Sequence, residues 1–137
     1  VEETICFIII NRCLTNRRIH LMHLSIVTPV YNAEKIVPIL VERLNTSTKG
    51  ITNDFEIILI EDHSSNNSWD AIEKIAKIHH HVAGLKLRKN FSQHHAITAG
   101  LDHAKDDWVV VMDYYLQDQP EEIGKLYHKA IVGYDND

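Results

Sequence analysis

The chain has 137 residues, enough for one compact domain with its own core and too few for a second of ordinary size. At 45% hydrophobic and 24% charged it has the composition of a soluble globular protein. Fourteen basic against nineteen acidic residues give a formal charge of −5, which argues against nucleic acid as a partner, since phosphate backbones are gripped by clustered cations.

Cys6 and Cys13 show neither metal-type spacing nor a disulfide framework, which fits a reducing, cytoplasmic setting. The apolar run Ile5–Ile10 is far short of the roughly 20 residues of a membrane-spanning helix. Glu2 and Glu3 precede it and basic residues follow it, the reverse of a signal peptide. Residues 1–23 are read as an N-terminal extension, in which Cys6–Ile10 suits an added edge strand and Asn16–His20 a basic connector. The first residue is Val and the last Asp137, so both ends are expected to be cut from a longer reading frame.

From Leu24 the pattern is regular. Leu24-Ser-Ile-Val-Thr-Pro-Val30 is apolar and β-branched, which predicts a buried strand. Ile36, Val37, Leu40, Val41 and Leu44 then recur at helical spacing, so a helix is predicted over Ala33–Leu44, with Asn45–Asn53 as a polar loop. Phe55–Ile60 is a second strand, ending in Glu61-Asp62. Ser68 is the expected N-cap of a helix over Trp69–His79. Val82–Leu87 is a third strand, Ser92–Ala104 a third helix and Trp108–Met112 a fourth strand. Pro120 suits the first turn of a last helix, Pro120–Ile131, whose positive end Glu121 and Glu122 would complement. This alternation predicts an α/β fold: a Rossmann-like, doubly wound, mostly parallel sheet covered by helices on both faces.

Ligands of such sheets sit beyond the carboxyl ends of the strands, so the strand-end residues carry the functional reading. Tyr31, after Pro29 and before Asn32, offers a ring that could stack on a nucleobase, worth about 1–3 kcal/mol, or simply a half-buried turn residue. Glu61 and Asp62 could accept from a base or ribose, or form an acidic turn; as strand neighbours they face opposite ways, so one at most enters a given pocket. Arg88, with Lys89 and Asn90, could contact phosphate or be solvated. Asp113, with Gln117 and Asp118 nearby, could hold Mg²⁺ or Mn²⁺ against a diphosphate, or be a surface carboxylate. The ten histidines do not suggest a metal site. His79-His80-His81 suits a helix C-terminus, and His94 and His95 diverge by about 100° on a helix.

The ordered phrases Ser25-Ile-Val-Thr-Pro-Val-Tyr-Asn32, Glu56-Ile-Ile-Leu-Ile-Glu-Asp-His-Ser64, Leu87-Arg-Lys-Asn-Phe-Ser-Gln93, Ala99-Gly-Leu-Asp102 and Met112-Asp113 with Leu116-Gln-Asp-Gln-Pro-Glu121 together resemble glycosyltransferase family 2. The branch most similar transfers sugars to polyprenyl phosphates and bacterial surface polysaccharides. The resemblance implies that 24–137 is the nucleotide-sugar-binding half of a GT-A fold, ending before the acceptor half. Partners would be a nucleotide-diphosphate sugar and a polyprenyl-phosphate or saccharide acceptor, with membrane association at the cytoplasmic face through segments not in this sequence. It implies that Pro29 and Tyr31 line the base site, with Asn32 beside them, that Asp62 and Glu61 bond the base or ribose, and that Arg88 and Asn90 border the nucleotide. Asp113 would be the first carboxylate of the Asp-x-Asp metal element, with Gln117 and Asp118 beside sugar and metal; the general base would lie past the chain end.

The family's Asp-x-Asp is here Asp113-Tyr114-Tyr115. Tyr, with a pKa near 10, is neutral at pH 7 and a poor ligand for a hard cation, so a weakened metal site is expected unless Asp118 substitutes. A non-catalytic nucleotide-binding domain is therefore the alternative. A phospho-receiver domain fits less well, because its acidic pair should follow the first strand, where Pro29-Val-Tyr-Asn32 stands.

Overall fold

The computed structural model describes residues 7–11, 23–63, 67–89, 93–105, 108–112, 123–125 and 128. Every residue from Leu24 to Val30 in β2 (His23–Val30) is buried, as expected of a β-branched strand covered on both faces. It pairs in parallel with β3 (Asp54–Glu61) on one side and β5 (Trp108–Met112) on the other, and β3 pairs in parallel with β4 (Val82–Lys86). The segment read as an added edge strand is β1 (Phe7–Asn11), antiparallel to β5 with Phe7 opposite Met112 and Asn11 opposite Trp108. The strand order is β1-β5-β2-β3-β4.

Strand alternation sorts the core into two layers. Ile26, Val30, Ile57, Leu59, Val110 and Met112 pack with α1 (Ile36–Lys49) and α2 (Ser68–Ile78). Val27, Ile58, Ile60, Val109 and Val111 pack with α3 (Gln93–His103) on the opposite face. Each such buried aliphatic side chain contributes about 1.5–3 kcal/mol relative to exposure. Close approach on both faces depends on glycine. A Cβ on Gly100 of α3 would fall 2.7 Å from Ile60 Cδ1 and closer still to Val27 Cγ1, and one on Gly84 of β4 would fall 2.5 Å from Ile72 Cγ2.

The helix boundaries differ from expectation in ways that have a physical reason. α1 begins at Ile36, where the amides of Ile36 and Val37 both donate to Ala33 O at 3.0 Å. Pro38 is tolerated because first-turn amides have no intrahelical acceptor. The helix then runs on to Lys49 through the stretch read as a loop, because Asn45 and Thr48 continue its buried face after Val41 and Leu44. Ser68 is the first residue of α2 and not its cap; Asn67 holds that position, without a side-chain bond. The last helix falls mostly outside the described residues, of which 123–125 and 128 are helical.

The turn from α2 into β4 is held by His81. Its Nε2 is hydrogen-bonded to Asn45 Oδ1 of α1, and its ring meets Phe55 edge-on at 4.7 Å. His80 and His79 lie at 5.3 and 5.6 Å between ring centroids. Burial, then the charges of His80, His79 and Lys49, lower the His81 pKa below its ordinary 6.5. The unfolded chain therefore takes up a proton at this position that the folded chain resists. The stabilisation is complete above the unfolded value and is lost as pH falls below it through the folded value. Urea midpoints should be lower at about pH 5.5 than at about pH 7.5, and His81→Gln should narrow that difference. An unchanged difference would show that His81 does not carry it.

Candidate functional site

The chain visits β2, β3 and β4 in spatial order, then crosses back through α3 to β5 on the other side of β2. The direction of winding thus reverses between β2 and β5, the position at which open α/β sheets bind ligands beyond their carboxyl ends. Pairing between these two strands is recorded from Leu24↔Trp108 to Val27↔Val111, whereas β2 stays in register with β3 up to Val30↔Glu61. Pro29 sits in this central strand opposite Ile60 of β3.

The structure brings Pro29, Tyr31, Asn32, Asp62 and Arg88 to this one edge. Pro29 is buried in β2. Tyr31 follows the strand with 37% of its surface exposed, unusual for a large ring in so buried a neighbourhood. Asn32 turns the chain with φ 49°, a left-handed conformation that Asn tolerates better than most residues. The Asp62 amide donates to Val30 O at 3.0 Å, so the end of β3 is fastened directly beside Tyr31. Leu87 N–H donates to Glu61 O at 2.9 Å, which brings the exposed Arg88 to the same edge one strand further on. With strands about 4.8 Å apart, the four carboxyl ends from β5 to β4 span roughly 14 Å.

The two adjacent carboxylates part company. By alternation from Leu59 and Ile60, Glu61 belongs to the layer of α1 and α2, and Asp62 to the layer of α3. Glu61 is 1% exposed, and its Oε2 accepts the N–H of His63 at 3.1 Å, bracing the turn after β3. Asp62 is 6% exposed, so neither is the exposed acidic turn that the sequence also allowed. Asn90, Asp113, Gln117 and Asp118 lie outside the described residues, as does Tyr115; Asp113 directly follows the buried Met112 that ends β5. Among the described residues no group of three or more His, Cys, Asp or Glu side chains is placed to hold a metal ion.

Two supporting residues were not evident from sequence. His63 adopts φ 56°, a second left-handed residue at the next strand end, with no glycine to announce it. Ser68 Oγ accepts the amide of Ala33 at 2.7 Å across 35 positions of sequence, a tie that local pattern does not reveal.

A cleft of about 470 Å³ opens at the opposite, amino edge of the sheet, lined in part by Lys49, Asp54, Glu56, His81, His103 and Lys105. Its carboxylates are already engaged. Asp54 pairs with His23 Nδ1 at 2.7 Å, and Glu56 Oε2 accepts from Ser25 Oγ at 2.6 Å and from the Lys105 amide at 2.8 Å. The helices end there, so their negative dipole ends account for the basic lining without a ligand.

Comparison with known proteins places the fold and the sequence pattern in a family. The sequence pattern of the family described as Glycosyl transferase family 2 matches residues 25–136. The undecaprenyl-phosphate 4-deoxy-4-formamido-L-arabinose transferase of Proteus mirabilis is 44% identical over 112 residues, covering 81% of this chain and 34% of that protein. The chain thus spans about a third of the length of that relative. Among solved structures, S. aureus TarS 1–349 in complex with UDP-GlcNAc superposes with a TM-score of 0.58 at 20% identity, over 82% of this chain and 32% of that one. The mannosyltransferase PcManGT of Pyrobaculum calidifontis, in complex with GDP-Man and Mn²⁺, gives 0.60 at 17% identity, over 70% and 28%. These structural likenesses support the doubly wound fold, and the sequence match extends from the second residue before Val27 through the strand-end residues just described. The chain belongs to glycosyl transferase family 2.

Proposed function

We propose that this chain is the nucleotide-sugar-binding part of an inverting glycosyltransferase whose acceptor is a polyprenyl phosphate. The observation that carries the reading is the buried Asp62, fastened to the end of β2 beside the exposed ring of Tyr31 at the reversal point of the sheet. A ring and a carboxylate one strand apart suit a nucleoside: Tyr31 stacks on the base, and Asp62 accepts from the base or a ribose hydroxyl. Arg88, exposed at the end of β4, supplies positive charge at the border of the nucleotide. Asn90 and Gln117 are assigned to the nucleotide-sugar by their sequence phrases, and Glu61 acts through the turn it braces.

In the transfer, an acceptor oxygen forms a bond to the anomeric carbon as the bond to the β-phosphate oxygen breaks, and the electron pair leaves with the nucleoside diphosphate. A lipid-phosphate oxygen is already anionic and needs no general base, in contrast to a saccharide hydroxyl. With a membrane lipid as acceptor, the reaction belongs at the cytoplasmic face of the bilayer. No helix among the described residues is long and apolar enough to cross a membrane.

The donor set fits a divalent cation poorly. Asp113 is followed two positions on by Tyr115, a neutral phenol where a second hard carboxylate would be needed, and Asp118 is the next acid along the chain. UDP-GlcNAc titrated with and without Mn²⁺ should show a metal dependence of a few-fold at most, and Tyr115→Asp should raise it by about tenfold, the equivalent of about 1.4 kcal/mol. Strong metal dependence of the unaltered chain would overturn this account of Tyr115. The same substitution separates a second reading, favoured by Tyr115, in which the domain binds nucleotide without catalysing transfer. Within the full-length protein, activity that stays absent after Tyr115→Asp supports that reading.

A further inference from the structure

The turn that carries Tyr31 and Asn32 is not held by its own hydrogen bonds alone. After the left-handed Asn32 the chain enters Ala33, 2% exposed, whose amide points away from α1 and donates to Ser68 Oγ at 2.7 Å. Ser68 is fully buried at the first position of α2, and α2 begins five residues after His63. One hydroxyl therefore links the loop after β2 to the helix that follows β3. That loop presents Tyr31, and the helix follows the strand end that presents Asp62.

We infer that Ser68 is a positioning residue of the nucleotide site, setting the Tyr31 ring relative to the Asp62 carboxylate without touching the ligand. This deepens the proposed function and rests on it. The physical reason is the cost of the alternative. A buried amide that loses its acceptor carries a desolvation penalty and relaxes by moving toward water or another acceptor. Ala33 cannot move without Asn32, whose left-handed conformation is tolerable only while its neighbours fix it. The displacement then falls on Tyr31, one residue further back. The Glu61 carboxylate on the His63 amide performs the same service from the other side of the gap, so the edge is braced at both strand ends.

The test uses the chain as it stands, with UDP as the probe, and reads two quantities: amide hydrogen exchange at Ala33, and UDP affinity by calorimetry. Ser68→Ala should accelerate exchange at Ala33 and weaken UDP by about tenfold, or about 1.4 kcal/mol. Ser68→Thr, which keeps the acceptor, should restore most of both. Ser68→Cys, similar in size and a weak acceptor, should fall between and serves if the alanine variant does not fold. Ile75→Val in α2, remote from the edge, lowers stability without cutting the tie and should leave UDP affinity unchanged. If Ser68→Ala frees the Ala33 amide yet binds UDP as the wild type does, the positioning role is wrong. If Ile75→Val weakens UDP as much as Ser68→Ala does, affinity is tracking stability and the inference falls. A wild-type chain that protects Ala33 but binds no UDP overturns the nucleotide reading itself, and the positioning role with it.

Discussion

Replacing Asp62 by alanine should reduce UDP affinity by about 10- to 100-fold while leaving the chain folded. Hydrogen bonds to an ionised group are worth about 1.5–3 kcal/mol, and each 1.4 kcal/mol is a factor of ten in binding. Asp62 follows the last residue of β3, in a backbone already fixed by its bond to Val30 O, so truncation of its side chain leaves the ladder intact. Asp62→Asn keeps shape and one acceptor and should fall between alanine and wild type. Glu61→Gln is the informative contrast. That side chain lies in the other layer and braces the turn through His63, so its replacement should act more on melting temperature than on affinity. Calorimetric titration of the three variants checks the ranking. Equal losses from Asp62→Asn and Glu61→Gln would mean that alternation along β3 does not decide which acid meets the nucleotide.

The second large effect concerns α3. Helix propensity alone makes Gly100→Ala favourable by about 1 kcal/mol. Overpacking opposes it with a cost of about 1–3 kcal/mol, because the new methyl meets Val27 Cγ1 and Ile60 Cδ1. Ile60 Cδ1 is the end of a flexible side chain and can yield, whereas Val27 is β-branched in the central strand and cannot easily turn. Packing should prevail, with a net loss of up to about 2 kcal/mol for alanine and about 3 kcal/mol or more for Gly100→Val. The valine variant should melt roughly 10 °C lower. Thermal denaturation followed by circular dichroism is sufficient, and an alanine variant more stable than wild type would show that α3 lies further from the sheet.

Strand identity was legible from sequence because the central strands are buried on both faces and read as unbroken Val, Ile and Leu runs. β5 matches its expected span, Trp108–Met112, and β2 differs by one residue. The proposal of a carboxyl-edge site rests on the same reasoning, since topology says where doubly wound sheets bind. What escaped depends on partners far away in sequence. Asn45-Thr-Ser-Thr48 looks like a loop by composition, yet Asn45 continues the buried face of α1 and receives His81 from 36 positions on. Alternation foretold that Glu61 and Asp62 would diverge, but the sequence did not say which layer each would join; that required the placement of α3. Ser68 has the residue type and position of a helix cap, and only the location of the Ala33 amide shows otherwise.

β5 is an interior strand on account of β1. The family-matched stretch, residues 25–136, would leave one whole side of Trp108–Met112 open to solvent, and Phe7–Asn11 covers it. Those five covered residues are apolar and immediately precede Asp113, so the strand that leads to the proposed metal-site acid is steadied from outside the recognisable family segment. Shaving the chain back to the homologous portion would bare a sticky ribbon of unpaired amides and carbonyls, inviting self-association along β5.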